Sequence, residues 1–238
     1  MQPNKEFTTK LSDDDLRRMA VFRCAQGLAD SDKLRLICGD GLLAADRDLT
    51  RLSEEQLQQV VVALLKPSRV AHVLGCRDTA VELAKIWGVD TTDAARAALL
   101  HDVTKALDGP LQLTLCDAYG IILSNFSAGN PKTLHALTGS LVAERIFGEN
   151  PAVVAAIRSH TTGKADMNML EKIIYVADYV EPNRDFPGVE PLRSLAYKDI
   201  NKALKLGLEM TLGMLREQGK EISPESQQAL AFLEAQKG

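Results

Sequence analysis

The sequence predicts an all-α protein, an irregular bundle of several helices. Apolar residues recur at helical spacing in successive segments, most clearly over 170–177. Helix start signals precede some of these segments: Ser53 with Gln56, and Asn168 with Glu171, match the capping-box pattern. No stretch alternates apolar and polar residues between hairpin turns, as a half-buried β-strand would.

Helical patterns are bounded by residues that start or stop helices, such as Pro67 and Gly88. One helix is expected to begin at Ser12. Further helices are expected over residues 53–64, 68–87, 92–101, 111–119, 131–146, 151–160, 168–178, 197–215 and 223–234. Histidines and candidate catalytic motifs are absent before residue 67. We therefore expect a small N-terminal helical extension over 1–66, a main helical domain over 67–217 and a C-terminal helix over 218–238 that packs on it.

Composition places the chain among ordinary globular proteins. Its 238 residues are 45% hydrophobic and 25% charged, with a formal net charge of −4. This charge argues against a general nucleic-acid binder, because neutralising phosphates needs an excess of Lys and Arg. The four cysteines lack paired spacing, and we find neither a signal peptide nor an apolar run of membrane-spanning length. We expect a soluble cytoplasmic protein with reduced thiols and no membrane partner.

His101 and Asp102 stand side by side after the apolar run 94–100. A buried carboxylate is costly unless a metal, a cation or several donors compensate it, and Asp178 at the end of the apolar run 173–177 poses the same problem. One histidine on an apolar helix face is more often a core residue than a ligand. Here, however, each of four predicted helices carries one histidine, and no histidine of the chain lies outside these helices.

A metal site with nitrogen and oxygen ligands accounts for all of these positions together. Six such ligands suit iron, manganese or another octahedral first-row ion better than a structural zinc, which usually binds cysteine. The candidate metal ligands are His72, His101, Asp102, His135, His160 and Asp178.

These residues also carry a resemblance to a known family. The order H…HD…D resembles the pattern of the HD-domain phosphohydrolases, and the surrounding residues resemble the YqeK family in particular. The matching motifs are residues 69–72 (RVAH), 101–105 (HDVTK), 134–135 (LH), 159–163 (SHTTG) and 175–184 (YVADYVEPNR), followed by 186–189 (FPGV). The likeness covers about residues 67–217 and does not extend to the first 65 or so.

The resemblance implies an HD-domain bundle and a symmetrical bis(5′-nucleosyl)-tetraphosphatase, which cuts diadenosine tetraphosphate into two ADP using iron or a similar metal. By position, His72, His101, Asp102 and Asp178 would hold the first metal. His135 and His160 would complete a second metal site or contact substrate phosphates. Asp102 would bridge if two ions are present.

The highly anionic tetraphosphate also requires cations. Arg69 and Lys105 lie about one helical turn from candidate ligands, and Arg184 follows the segment of Asp178. Asp102 and Lys105 are the expected catalytic residues. Residues expected to bind substrate are Arg69, Lys105, His135, His160, Thr161, Tyr179 and Arg184. Each has an ordinary alternative: a surface ion pair for the cations, a helix-terminal turn for Thr161, and simple packing for Tyr179.

Two other functions are consistent with the sequence. The same chemistry would act on another nucleotide, such as a nucleoside monophosphate or guanosine tetraphosphate. Alternatively, the chain is a non-catalytic nucleotide sensor that docks through its N-terminal extension. The native metal, the number of ions, the base preference and the oligomeric state, with a homodimer among the alternatives, are left open by the sequence.

Overall fold

A computed structural model describes Thr50 and residues 52–118 and 120–236, and these residues form helices and no strand. The predicted helix from Ser12 and most of the N-terminal extension lie outside the described residues. In chain order the helices are α1 (Glu54–Leu64), α2 (Pro67–Trp87), α3 (Thr91–Leu100), α4 (Gly109–Ala118), α5 (Asn125–Gly129), a 3-10 turn (Pro131–Thr133), α6 (Leu134–Arg145), α7 (Pro151–Ser159), α8 (Met169–Val180), α9 (Val189–Ala196), α10 (Ile200–Glu217) and α11 (Pro224–Ala235). The all-α prediction is therefore confirmed.

The chain divides into two compact units. The first comprises the described residues up to Pro67 together with residues 102–150, and the second comprises residues 68–101 and 151–238. Both are discontinuous in sequence, whereas the predicted domains are continuous. The predicted boundaries near residues 66 and 217 stay a prediction.

In the first unit, α4, the 3-10 turn and α6 pack on one another. Leu115, Leu134 and Val142 are among the buried apolar side chains of this unit. The predicted capping box at the start of α1 is confirmed: the Ser53 hydroxyl accepts the backbone N–H of Gln56 at 3.2 Å, and the Gln56 side chain accepts the N–H of Ser53.

Helix α8 is central to the second unit, where it contacts α3, α7, α9 and α10. The residues predicted to face inward, Leu170, Ile173, Ile174 and Ala177, are buried. The capping box at its N-terminus is confirmed, since the Asn168 side chain accepts the Glu171 N–H at 3.0 Å and Glu171 accepts the Asn168 N–H at 2.7 Å. The small side chains of Ala94, Ala97 and Ala98 on α3 are fully buried and allow close helix packing.

Among the differences from the sequence-based expectation are two helix starts and two helices, α5 and α9, that were not predicted. Asp90, not Thr92, caps α3, and α10 begins after Asp199 rather than at Tyr197. The Asp199 carboxyl accepts the backbone N–H of Lys202, which lowers the pKa of Asp199 below its ordinary value. Short polar side chains that accept N–H bonds thus decide both starts.

Helix α9 was not predicted, and it stabilises the end of α8. Arg193 on α9 donates from Nε to the Val180 carbonyl at 2.8 Å and from Nη2 to the Glu181 carbonyl at 3.0 Å. These carbonyls belong to the last turn of α8, where no partner exists within the helix itself. The turn after α8 is therefore fixed by a side chain from a later helix.

Within the described ranges, no helix has both the length and the apolar character needed to cross a membrane.

We expect Asn168→Ala to lower the free energy of unfolding by about 1 kcal/mol, because it removes the acceptor that caps α8. Urea denaturation followed by circular dichroism measures this difference. Asn168→Asp, which keeps an acceptor at the cap, is the matched control and should stay close to wild type. Equal stability of the alanine variant and wild type would contradict the assignment of this cap.

Candidate metal centre

Histidine orientation is set by hydrogen bonds at Nδ1. His101 Nδ1 lies 2.6 Å from the Ala98 carbonyl oxygen, and His160 Nδ1 lies 2.6 Å from the Ile157 carbonyl oxygen. A carbonyl oxygen only accepts, so in both rings Nδ1 carries the hydrogen. The lone pair is then on Nε2, which is the arrangement that metal-binding histidines use.

In the second unit, His101, His160 and Asp178 each place one donor atom within 4.8 Å of the others. His101 stands at the C-terminus of α3, His160 follows α7, and Asp178 lies in the last turn of α8. The two imidazole rings are almost fully buried, with centroids 5.0 Å apart. Two imidazole nitrogens and a carboxylate oxygen form a donor set suited to a first-row divalent metal.

His72 on α2 joins the same group of side chains. Its Nε2 lies 3.0 Å from Asp178 Oδ1, and its ring centroid is 5.5 Å from that of His101. Adjacent donors on an octahedral ion with bonds of about 2.1 Å lie about 3 Å apart. The spacing of His72 and Asp178 therefore fits two ligands of one metal.

The predicted substrate-binding residues of this unit lie close to these donors. Arg184 donates to Asp178 Oδ1 at 2.5 Å and to the Asp178 carbonyl at 2.7 Å. The Thr161 hydroxyl lies 3.1 Å from His160 Nε2. Arg69 is half-buried on α2, three residues before His72. The structure thus brings a cation and a hydroxyl to the predicted metal ligands, and phosphate binding by these residues stays a prediction.

The first unit places Asp102, Lys105 and His135 together. Lys105 Nζ lies 3.3 Å from Asp102 Oδ1 and 3.1 Å from His135 Nε2, and these last two atoms are 3.4 Å apart. His135 Nδ1 is 2.8 Å from the Lys132 carbonyl oxygen, so its Nε2 also has the lone pair. The expected catalytic pair, Asp102 and Lys105, is in direct contact.

A buried polar network holds the segment between Asp102 and Lys105. Thr104 Oγ1 donates to the His135 carbonyl oxygen at 3.0 Å and lies 2.9 Å from Thr138 Oγ1. The Gln112 amide donates to the Thr104 carbonyl at 2.8 Å. Because Thr104 is fully buried, these bonds tie the position of its neighbours to α4 and α6.

Tyr179 packs within an aromatic group. Its ring stacks on Tyr175 with centroids 5.5 Å apart and an interplanar angle of 11°, and it meets Phe186 edge-on at 6.1 Å. Its hydroxyl contacts the Thr211 hydroxyl. Burial raises the pKa of the Tyr179 phenol above its ordinary value, so the phenol is neutral at physiological pH. The packing alternative is observed, and stacking on a substrate base stays a prediction.

Glu181 contacts a predicted ligand, although the sequence did not single it out as a site residue. Glu181 is 1% exposed, and its Oε1 lies 3.0 Å from His72 Nδ1. The available signal was its position in the 175–184 motif, three residues after Asp178, where an acidic residue ends an apolar helix. Its partner, 109 residues earlier in the chain, had no local signature.

A family model described as "HD domain" matches residues 69–183, which include every candidate metal ligand. The "predicted HD superfamily hydrolase involved in NAD metabolism" of Clostridium acetobutylicum has a similar structure. Its TM-score is 0.76 at 37% identity, and the match covers 78% of this chain and 99% of that one. The fold is thus that of an HD-domain protein, and the clustered donors lie within the matched residues.

Two curated relatives, both named "Bis(5′-nucleosyl)-tetraphosphatase, symmetrical", are similar along most of the chain. The protein of Halalkalibacterium halodurans is 38% identical over 71% of this chain and 90% of its own length. That of Bacillus subtilis is 35% identical over 74% of this chain and 94% of its own length. The chain belongs to the YqeK family of HD-domain hydrolases, as the motifs predicted.

We expect Thr104→Val to lower the free energy of unfolding by about 1–3 kcal/mol, because it removes a buried hydroxyl and disrupts its hydrogen bonds to α6. Urea denaturation measures the loss. Thr92→Val makes the same chemical change at an exposed position of α3 and should have little effect. Similar stabilities of the two variants would contradict a structural role for the Thr104 hydroxyl.

Proposed function

We propose that this protein is a metal-dependent hydrolase that cuts diadenosine tetraphosphate symmetrically into two molecules of ADP. The observation that carries the proposal is the cluster of His101, His160 and Asp178 donors. It occurs in a chain that spans at least nine-tenths of two relatives named for this activity. The substrate is inferred from the names of the relatives, and the cluster provides the metal-binding side chains that hydrolysis of this substrate requires.

The metal is a divalent first-row ion, and we propose iron, with manganese as the closest substitute. His72, His101, Asp102 and Asp178 are the proposed ligands of the first ion; Asp102 is added because it follows His101 directly and completes the HD motif. His135 and His160 complete a second site or bind phosphate. Bound metal supplies Lewis acidity toward phosphate oxygens and water.

In the proposed reaction, water forms a bond to one of the two inner phosphorus atoms. The bridging P–O bond between the inner phosphates breaks, and one ADP leaves with the bridging oxygen. The anionic groups need nearby cations: the Lys105 side chain is 41% exposed and that of Arg184 is 33% exposed, so both can meet a bound polyphosphate. Asp102 lies beside Lys105 and is positioned to orient its ammonium group.

We also propose that the protein acts in the cytoplasm. Cys76 and Cys116 are buried and form no disulfide in the described part of the chain, which is the state of cysteines in a reducing compartment. This proposal agrees with a nucleotide substrate that is produced inside cells.

The test is turnover of diadenosine tetraphosphate by anaerobically purified full-length protein, with separation of products and metal analysis. We expect two ADP per substrate, bound iron, and loss of activity on chelation. Asp178→Asn should reduce turnover about 100-fold or more, because it replaces a proposed metal ligand.

Asp166→Asn is the matched control for this variant. Asp166 is exposed and has a φ of 52°, a conformation that asparagine also tolerates, so its activity should equal wild type. AMP with ATP as products would keep the hydrolase assignment and refute symmetrical cleavage. ADP binding without turnover under any divalent metal would refute the enzyme and favour the sensor.

A further inference from the structure

We propose that Glu181 is a positioning residue for the metal centre: it holds His72 in the tautomer that presents Nε2 as a metal ligand. The proposal rests on the metal centre of the proposed function and adds a residue outside its ligand set. It is carried by three observations: the contacts of the two carboxylate oxygens, the glycine that leaves room for them, and the pattern of the other histidines.

Both oxygens of Glu181 have defined partners. Oε1 lies 3.0 Å from His72 Nδ1. Oε2 accepts the backbone N–H of Asn183 at 2.7 Å and its side-chain N–H at 2.8 Å. The Asn183 amide also donates to the Ala71 carbonyl at 3.0 Å, which ties this turn to α2 next to His72. The carboxylate is therefore held by three donors.

Gly75 provides the space for this contact. It lies three residues after His72 on the same face of α2. A Cβ atom at this position would overlap Glu181 Oε2 and would lie 2.9 Å from Asn183 Nδ2. A larger residue at 75 would force the Glu181 carboxylate to shift, so glycine at this position leaves room for the carboxylate as it lies beside His72.

The chemistry follows from the tautomer of His72. The other three histidines donate from Nδ1 to backbone carbonyls at distances of 2.6 to 2.8 Å, and Nε2 is left with the lone pair. His72 Nδ1 instead faces a side-chain carboxylate, which accepts the same hydrogen. Without this acceptor, the hydrogen can move to Nε2 and block coordination.

The test is Mn²⁺ binding to full-length, metal-free protein, measured by the free Mn²⁺ signal in electron paramagnetic resonance and without substrate. Glu181→Gln should raise the dissociation constant 10- to 100-fold, the usual effect of removing a partner of a metal-binding histidine. Glutamine retains the size of the side chain, but it has only one accepting oxygen. Its NH2 group must therefore face either His72 Nδ1 or the N–H donors of Asn183.

A second readout is the tautomer itself. In the metal-free protein His72 Nε2 also faces Asp178 Oδ1 at 3.0 Å, so the diagnostic quantity is the difference between the two proteins. Long-range ¹H–¹⁵N spectra, assigned with a His72→Gln variant, should show a smaller Nδ1–H fraction of His72 in Glu181→Gln than in wild type. A merely structural role for Glu181 would leave this fraction unchanged. Wild-type Mn²⁺ affinity and an unchanged tautomer in Glu181→Gln would overturn the proposal.

Glu171→Gln is the matched control, since Glu171 is equally buried, lies in the first turn of α8 and contacts Lys164 rather than a histidine. It should retain wild-type affinity for Mn²⁺.

Gly75→Ala tests the proposal if Glu181→Gln fails to fold. Alanine is favoured in a helix interior, yet at this position it should weaken Mn²⁺ binding by displacing the carboxylate. Undiminished affinity in Gly75→Ala would then overturn the proposal. Since no substrate is used, these results are independent of the cleavage assay.

Discussion

The hydrogen bond at Nδ1 is the interaction on which the candidate metal centre depends. An imidazole has two nitrogens, and only the one without hydrogen can bind a metal. In this protein each histidine gives its Nδ1 hydrogen to an oxygen, three times on the backbone one helical turn earlier and once on Glu181. The local helix geometry therefore prepares most of the nitrogen donors before any metal arrives, which limits the reorganisation that binding requires.

Helix α8 connects this chemistry to the fold. The Asn168 capping box fixes the N-terminus of α8. At the other end Arg193 binds the Val180 carbonyl, next to the turn that carries Asp178. The helix is therefore held at both ends. The buried apolar face of α8 packs against four neighbours. Because packed interiors resist small displacements, the position of Asp178 is determined by the whole helix rather than by local contacts alone.

Cations accompany the carboxylates in both units. Arg184 contacts Asp178 in the second unit, and Lys105 contacts Asp102 in the first. Removing either cation would leave a poorly solvated carboxylate without this partner, which is destabilising, so the cations matter to the metal-free protein. Both cations keep part of their side chains exposed, which makes them available to an anionic substrate. The same residues thus serve folding and, in the proposed function, phosphate binding.

The sequence by itself determined the all-α class, the capping boxes at Ser53 and Asn168, the HD family and the candidate donors, because these depend on local spacing and on a contiguous motif. Tertiary structure alone decided the contact of Glu181 with His72, the role of Gly75 and the stabilising action of Arg193. These features join residues that are far apart in the chain or act on the end of another helix. Periodicity assigns a residue to a helix face, but its partner on another helix is chosen by the packing of the complete bundle.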